Sequence, residues 1–367
     1  MTRIVTLSEI GIVKTGKTPS KNNPEFWGNK VGFITPSDFT SSKYVHASRR
    51  ISQAGVNALR NVIIPRSSVL VTCIGSDMGK VARVEEENVI TNQQINTLIV
   101  NASIADVDFI YYSLKAKYEL LRNLGVGGGS TMPIINKTTF EKIKIELPNL
   151  ETQKKIADIL SSLDEKIELN RRMNETLEQL GQTLFRHYFI DNPDAKNWKK
   201  RSLGEFFPVK TGKKDANFGT KDGRFPFFTC AQTISRAPSY SFDGSAILIA
   251  GNGDFNIKYY TGKFEAYQRT YVLIPHNEEL LGFLYFLMKK DLSLITGGSR
   301  GSVIKFITKG MIENYRVELP DDNDLAAFAP IFSELLALIS HSNEQIQTLA
   351  ALRDALLLKL ISGEIKI

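Results

Sequence analysis

Two segments of the chain have the spacing of apolar residues that is typical of long amphipathic helices. In residues 151–190 the apolar side chains recur at steps of three, four and seven, and residues 321–367 repeat this pattern 172 positions later. The repeated positions are Ile159, Leu163, Ile167, Leu177, Leu180 and Leu184, followed by Ile331, Leu335, Ile339, Leu349, Leu352 and Leu356. Such spacing places one wide apolar stripe along a helix. A helix of about 36 residues is roughly 54 Å long, and its stripe needs a partner. The pattern therefore favours two antiparallel helices in a coiled coil.

Two local features interrupt these helical patterns. Asn170 and Asn174, with Ser342 at the aligned place, break the apolar stripe near its middle. They indicate either a solvated gap, or control of helix register or a notch for another protein. Pro330 is compatible only with a first helical turn or a kink.

The remaining two segments combine short β-like runs with glycine-rich turns and one helix-like stretch each. The β-like runs include "SVLVTCI" and "SAILIA", and the helix-like stretches lie near residues 107–122 and 278–291. This mixture predicts an α+β fold. The predicted domains are residues 1–150, a central helix at 151–190, residues 191–320 and a final helix at 321–367.

The two α+β segments are similar to each other, which predicts two related domains about a pseudo-twofold axis. "LSEIGIVKTGK" at 7–17 aligns with "LGEFFPVKTGK" at 203–213. Further aligned pairs are "VLVTCIG" with "ILIAGNG", "NQQINTLIV" with "YQRTYVLIP", and "YYSLK" with "YFLMK". Each half closes with a glycine-serine segment and "ELP". A unit this long is a duplicated domain rather than a solenoid repeat.

Charge separates the predicted domains from the predicted helices. Residues 1–150 contain 18 Lys and Arg against 12 Asp and Glu, and residues 191–320 contain 19 against 13. The two helical segments are acidic, and the whole chain has a net charge of +7. A polyanion would therefore meet the two domains and not the helices, with an affinity that falls steeply as salt rises.

Composition predicts a protein of a reducing compartment that has no membrane-spanning segment. Cys73 and Cys230 lie on separate apolar runs and are expected to be two buried thiols. No apolar run approaches the length of a membrane span, and residues 1–10 lack a signal-peptide pattern. We expect a cytoplasmic protein.

The repeated "KTGK" supplies the first candidate DNA contacts. A glycine would permit a tight turn that presents ammonium and hydroxyl groups to phosphates. A solvated surface loop is the alternative, which the repetition makes less favoured. The candidates are Lys14, Thr15, Lys17, Lys210, Thr211, Lys213 and Lys214.

Amide and guanidinium groups supply the second set of candidates. Asn and Gln can bind adenine bidentately and Arg can bind guanine, although amides that cap strand ends are an equal alternative. The candidates are Asn92, Gln93, Gln94, Gln268 and Arg269. The glycine-serine segments add flexible backbone for phosphate approach, with Ser130, Thr131, Lys137, Ser299, Arg300 and Lys305.

Patterns of catalysis are weak in this sequence. There is no GxxxxGK[ST] motif, and the four histidines have no metal-ligand spacing. "PDAKNWK" at 193–199 faintly resembles a nuclease signature but lies in a hydrophilic linker. We therefore expect no catalytic residue, no metal and no cofactor bound by this chain.

The whole layout resembles the specificity subunit of type I restriction-modification systems. The resemblance rests on the two "VKTGK" openings, the "ELP" closings and the run from "ETQKKIADILSSLDEKIELNRR" to "FRHYF", with a counterpart ending "ALRDALLLKLISGEI". The second helix departs from the family pattern, since "DLAAFAPIFSELLALI" lacks the usual glutamine and basic residues.

The resemblance implies two target-recognition domains, each reading one half of a bipartite double-stranded DNA site, with the helices as a spacer. It also implies two methyltransferase subunits that bind AdoMet, and restriction subunits that use ATP and Mg²⁺. Three alternatives stay open. They are a recognition subunit whose partner combines methyltransferase and nuclease, a stand-alone nuclease, and a two-domain DNA binder without enzyme partners.

Overall fold

The structure is a computed structural model that describes residues 2–20, 22–126, 134–253, 255–297 and 306–367. The chain divides into two compact units. Unit 1 comprises Met1–Leu169 and Ile346–Ile367, and unit 2 comprises Asn170–Gln345. Each unit therefore contains one α+β module together with part of each long helix.

The elements that begin in unit 1 alternate short strands with short helices until one long helix. The strands are β1 Arg3–Thr6, β2 Gly11–Thr15, β3 Trp27–Ile34, β4 Tyr44–Val45, β5 Arg49–Ile51, β6 Ile63–Pro65, β7 Ser68–Thr72, β8 Val81–Val84, β9 Asn88–Thr91, β10 Ile95–Val100 and β11 Lys144–Leu147. The helices are α1 Leu7–Ile10, α2 Gln53–Ala58, α3 Val107–Ala116, α4 Tyr118–Val126, α5 Lys137–Glu141 and α6 Leu150–Phe189.

Unit 2 contains the second module and the start of the last helix. Its strands are β12 Lys199–Ser202, β13 Val209–Thr211, β14 Phe225–Phe228, β15 Ser235–Ala237, β16 Phe242–Ala250, β17 Ile257–Ala266, β18 Thr270–Leu273 and β19 Arg316–Leu319. Its helices are α7 Leu281–Thr296, α8 Lys309–Glu313 and α9 Asp322–Ile361.

The two modules share one sheet topology. In unit 1 the main sheet has the order β2-β10-β7-β8-β4, and in unit 2 it begins β13-β18-β16-β17. The first three pairings of each sheet are antiparallel. A small sheet, β1-β11 or β12-β19, closes each module. The predicted duplication is thus confirmed at the level of strand order.

The extra strands of the two modules are arranged differently. Unit 1 has a separate four-stranded sheet of order β5-β3-β9-β6, whereas unit 2 extends its main sheet through β14 and β15. The smaller cores follow this division: Phe33, Ile51 and Ile90 pack together in unit 1, and Phe228, Phe264 and Val272 pack in unit 2.

Each main core continues from a module into the long helices. In unit 1, Phe109 and Ile110 of α3 share a buried cluster with Leu160 of α6 and Leu357 of α9. In unit 2 the corresponding cluster is aromatic and contains Phe185, Phe189, Phe283 and Phe332, among others. The ring centroids of Phe185 and Phe189 are 4.9 Å apart. Burial of these side chains against a module stabilises helix segments that would be marginal alone.

The long helices pack antiparallel within each unit. In unit 1, Arg353 of α9 bonds Asp164 of α6 at 2.6 Å, and Leu360 lies in the same cluster as Ile156. In unit 2, Asn174 donates to Asn343 at 2.9 Å while the earlier residue Asn170 donates to the later Gln345 at 3.1 Å. Partner numbers fall on one helix as they rise on the other, as the apolar pattern predicts.

The polar interruption of the stripe is buried rather than solvated. Asn170 and Ser342 are almost fully buried, and the Ser342 hydroxyl donates to the Asn170 carbonyl at 3.2 Å. Of the two predicted alternatives, a solvated gap is therefore wrong at Asn170 and Ser342, whereas Asn174 is half-buried. A buried hydrogen-bonded pair at one position favours one helix register in unit 2.

Pro330 lies inside α9 beyond its first turn, which leaves a kink as its predicted position. The expectation of two buried thiols was correct for one cysteine only. Cys73 is buried, and burial raises the pKa of its thiol to about 12. Cys230 is only half-buried, and its Sγ lies 3.4 Å from the Arg269 carbonyl. The second thiol lies in a loop after β14 and not in a core strand.

Helix α9 is long and apolar enough for a membrane span by length and composition, unlike any other helix in the described ranges. Its best 18-residue window has a mean hydropathy of 1.5. The first half of α9 contributes Phe332, Leu335, Leu336 and Ile339 to the main core of unit 2. This packing accounts for part of its apolar character, since 39% of the window is buried.

Candidate nucleic-acid interface

The first "KTGK" lies at the end of an edge strand. β2 contains Lys14 and Thr15, and it pairs only with β10 in its sheet. The Thr15 hydroxyl donates to the Asn96 side chain at 2.6 Å, and the Lys14 ammonium donates to the Ile63 carbonyl at 3.0 Å. Lys17 is exposed and forms no ion pair with any residue that the structure describes. The motif thus uses two side chains internally and leaves Lys17 available to a ligand.

The glycine of this motif permits close approach and does not make a tight turn. Neither Gly16 nor Gly212 has a positive φ. A Cβ atom on Gly16 would lie 2.2 Å from the carbonyl oxygens of Thr91 and Asn92. On Gly212 it would lie 2.0 Å from the carbonyl of Ala266. The tight turn predicted from sequence was therefore wrong, since glycine is needed where an extended strand end crosses another segment.

That other segment is the one that contains the predicted base-contacting amides. The Lys17 amide donates to the Thr91 carbonyl at 2.8 Å, directly before Asn92. The Ile95 amide donates to the Asn92 carbonyl at 3.2 Å, which closes a β-turn around Gln93 and Gln94. Two separate sequence motifs thus meet at one edge of the module.

The three side chains of the "NQQ" turn are placed differently. Asn92 is buried, and its side chain accepts from the Gln94 amide at 3.1 Å and donates to Gln94 Oε1 at 2.8 Å. It caps the turn, which was the alternative interpretation. Gln94 is half-buried, and Gln93 is exposed with Oε1 2.6 Å from the Thr18 hydroxyl. Gln93 is therefore the side chain of this turn presented most openly.

Module 2 repeats this arrangement with different chemistry. The Thr270 amide donates to the Tyr267 carbonyl at 2.8 Å, so Gln268 and Arg269 occupy the two central turn positions. The backbone amide of Gln268 donates to the Lys214 carbonyl at 2.9 Å. Arg269 is exposed, and its guanidinium forms no ion pair within the part of the chain that the structure describes. An amide pair in one module corresponds to an amide and a guanidinium in the other.

Basic side chains surround the second turn. Lys210, Thr211 and Lys213 are exposed, and the Lys214 ammonium lies 4.5 Å from the ring centroid of Phe218. Asp215 Oδ1 accepts from the Gln268 side chain at 3.0 Å. That contact orients the side-chain amide of Gln268 and uses one of its two N–H hydrogens.

The chain leaving each glycine-serine segment is fixed beside the same strand. In module 1 the Asn96 side chain donates to the Ile135 carbonyl at 3.0 Å. In module 2 the Tyr271 hydroxyl donates to the Ile307 carbonyl at 2.8 Å. Asn96 and Tyr271 were not among the sequence candidates. They occupy aligned positions as polar side chains within apolar strands, which is the signal that could have identified them.

The remaining candidates are less informative. Ser130, Thr131, Ser299, Arg300 and Lys305 lie outside the described residues. Lys137 is exposed at the start of α5, 3.7 Å from Glu141. Lys258 is half-buried, and burial lowers its pKa. Its ammonium donates to the Ala231 carbonyl at 2.7 Å.

The described residues contain no group of three or more His, Cys, Asp or Glu side chains arranged to hold a metal ion. In each module a polar turn lies beside a basic strand end, an arrangement typical of proteins that bind nucleic acid.

Comparison with known proteins identifies the family. The model for the type I restriction modification DNA specificity domain matches residues 2–179 and 195–350. The chain therefore belongs to this family and is a specificity subunit with two target-recognition domains.

Two curated relatives are similar to different extents of the chain. The EcoDI specificity subunit of Escherichia coli is 44% identical over 173 residues, which cover 46% of this chain and 39% of that protein. The chain thus spans well under two thirds of that relative. The MjaIX specificity subunit of Methanocaldococcus jannaschii is 26% identical over 407 residues, covering 98% of this chain and 93% of that protein.

A solved structure supports the fold. The crystal structure of a type I restriction-modification S subunit from M. genitalium aligns with a TM-score of 0.61. The alignment covers 98% of this chain and 96% of that one, at 21% identity. This likeness supports the two-module α+β architecture and the long helices.

Proposed function

We propose that this chain is a non-catalytic subunit that binds a bipartite double-stranded DNA site, with one half-site per module. The observation that supports this most directly is the meeting, in each module, of a basic strand end with a polar β-turn. Lys17 lies beside the Gln93 turn, and Lys213 lies beside the Arg269 turn. Phosphate contacts from the lysines would fix the position of each module on the duplex, so that the turn residues can reach base edges.

The two turns differ in the bases that they suit. Gln93 and Gln94 offer amides, which pair well with adenine, whereas Arg269 offers the fork that pairs with guanine. The two modules would therefore recognise unlike half-sites. The other candidates from the sequence remain part of this proposal, although Lys14, Thr15 and Asn92 also form the internal hydrogen bonds described above.

Catalysis would be supplied by partners. We propose two methyltransferase subunits, which bring AdoMet, and restriction subunits, which bring ATP and Mg²⁺. The helices support two copies of one partner, because both units expose large apolar side chains on them. Leu180 in unit 2 and Leu352 in unit 1 occupy equivalent repeat positions and are 44% and 47% exposed. The chain would act in the cytoplasm, where its DNA is. The family match does not favour a fused partner or a stand-alone nuclease.

Exchange of one module tests the proposal. The full chain would be co-expressed with a methyltransferase subunit, and methylated bases would be mapped by single-molecule sequencing. Replacing residues 1–150 by the corresponding module of another specificity subunit should change one half-site and leave the other intact. Methylation of the same sites without this chain, or a change in both half-sites, would contradict the proposal.

A further inference from the structure

Each module holds one large apolar side chain outward beside its polar turn. Ile134 is the first described residue after the glycine-serine segment of module 1, and Phe306 is the first after that of module 2. Both form isolated β-bridges, Ile134 with Ile74 and Phe306 with Asn252. Their exposed fractions are 46% and 51%.

The residues that follow point the other way. Ile135 and Ile307 are 1% and 3% exposed and belong to the main cores of their units. Successive residues of an extended segment face opposite sides. The inward residue therefore accounts for the anchoring of the segment, and the outward apolar residue contributes little to it. Burial against a partner would remove this exposed apolar surface from water.

Backbone hydrogen bonds connect the outward residues to the turns in the same way in both modules. In module 1 the Ile135 amide donates to the Cys73 carbonyl at 2.9 Å, and the Cys73 amide donates to the Gln94 carbonyl at 2.7 Å. In module 2 the Ile307 amide donates to the Gly251 carbonyl at 3.0 Å, and the Gly251 amide donates to the Arg269 carbonyl at 2.8 Å.

Ile134 and Phe306 are therefore each next to a residue, Ile135 or Ile307, whose amide is linked through Cys73 or Gly251 to the turn. The Asn96 and Tyr271 side chains fix the carbonyls of Ile135 and Ile307, as described above. The backbone that presents each apolar side chain is therefore held by both main-chain and side-chain bonds.

We propose that Ile134 and Phe306 are specificity residues that make apolar contact with the bases of their half-sites. The inference rests on the proposed DNA-binding function. The ligand of these two side chains is DNA, because each side chain adjoins the turn proposed to contact base edges. Apolar side chains contact bases either at the thymine methyl group or by insertion at a base step.

Polar replacement of each residue in the full chain tests the inference. Ile134→Thr and Phe306→Thr change exposed positions, so both variants should fold. Each should bind the specific duplex about tenfold more weakly and a non-specific duplex as the wild type does. The loss of base preference should be confined to one half-site, a different one for each variant. Ile4→Thr is the matched control, since Ile4 is 68% exposed on β1, in the sheet that closes the module.

Modified DNA distinguishes the two kinds of contact. If the methyl group is contacted, replacing one thymine by deoxyuridine should remove the difference between wild type and variant. If a base step is opened, 2-aminopurine at that step should become fluorescent with the wild type alone.

Binding of both variants within twofold of the wild type, as for Ile4→Thr, would overturn the inference and leave the proposed function standing. A wild-type chain that does not distinguish specific from non-specific DNA would instead refute the proposed function.

Discussion

The glycine of "KTGK" shows how a residue can be identified from sequence for the wrong physical reason. The repetition correctly singled out Gly16 and Gly212, but a turn and a strand crossing have the same local sequence. The difference lies in the carbonyl groups of Thr91 and Ala266, which are distant along the chain. Local propensity cannot report a contact of that kind.

Substitution of Gly212 by alanine should destabilise unit 2. Its Cβ would lie 2.0 Å from a backbone carbonyl, so the strand end must move, at a cost of about 1–3 kcal/mol. The free energy of unfolding would be measured in urea. Trp198 fluorescence reports on unit 2 in a Trp27→Phe background, because the chain has two tryptophans.

Gly310→Ala is the control in the same unit. Gly310 lies in α8, and the nearest atom to its added Cβ is the Asn314 side chain at 3.6 Å. Alanine should be neutral there or stabilising by up to about 1 kcal/mol. Equal stabilities for the two variants would show that the crossing at Gly212 imposes no constraint.

At the scale of elements, the two modules contact the long helices through different chemistry at equivalent positions. In unit 1 the Tyr112 hydroxyl donates to Asp164 at 2.7 Å, and Arg353 donates to the other oxygen at 2.6 Å. The aligned residues in unit 2 are Phe286, Leu336 and Gly181, which lie in or against its apolar core.

Gly181 is the residue of unit 2 that is aligned with Arg353. A Cβ atom there would lie 2.2 Å from the Phe286 ring. The ring therefore occupies the space next to the helix backbone where Arg353 has a side chain in unit 1. The repeat predicted which helices would meet. It did not predict the polar contact, because Asp164 and Arg353 are not aligned with each other and each is replaced by an apolar residue or glycine in the other copy.

Removal of the arginine should destabilise unit 1 strongly. Both Arg353 and Asp164 are more than nine-tenths buried. Among the described residues, Arg353→Met leaves the Asp164 carboxylate with the Tyr112 hydroxyl as its hydrogen-bond donor. We expect a loss of about 3 kcal/mol in the free energy of unfolding. Trp27 fluorescence in a Trp198→Phe background would measure it.

Two further variants separate charge from packing. Asp354 is 2.7 Å from the same guanidinium, but its side chain is 60% exposed, so Asp354→Ala should cost less than about 1 kcal/mol. Adding Asp164→Asn to Arg353→Met should restore stability in part, because the charge is removed while an acceptor for Tyr112 remains. A cost for Arg353→Met no larger than that for Asp354→Ala would contradict this account.

At the scale of the whole molecule, the repeat predicted more than the individual patterns did. Alignment of one half with the other predicted two related modules, each with a helix-like stretch where α3 and α7 lie, and the two long helices. The separate sheet around Phe33 in unit 1 was not predicted, since three of its four strands have only three or four residues and the other half has no separate sheet of this order. The meeting of the turn with "KTGK" was also unseen, because it depends on pairing of β2 with β10 across about 80 residues.

The same repeat leads to a prediction about assembly. Leu180 and Leu352 are aligned, and both are nearly half exposed on their helices. A leucine needed only for the helix pair would be more deeply buried, as Leu160 and Leu357 are. If the proposed methyltransferase subunits bind the long helices, each leucine should contribute to the docking of one copy.

Charge placed at one leucine should therefore remove one partner and not both. Leu180→Arg and Leu352→Arg should each reduce the complex from two bound methyltransferase subunits to one, and the double variant should bind none, because an arginine at an apolar interface is costly to desolvate. Native mass spectrometry of the co-purified complex counts the subunits. Ile4→Arg, at an exposed strand position, should retain both. Two retained copies in both single variants would show that the equivalent leucines are not docking positions, whatever the DNA-binding modules do.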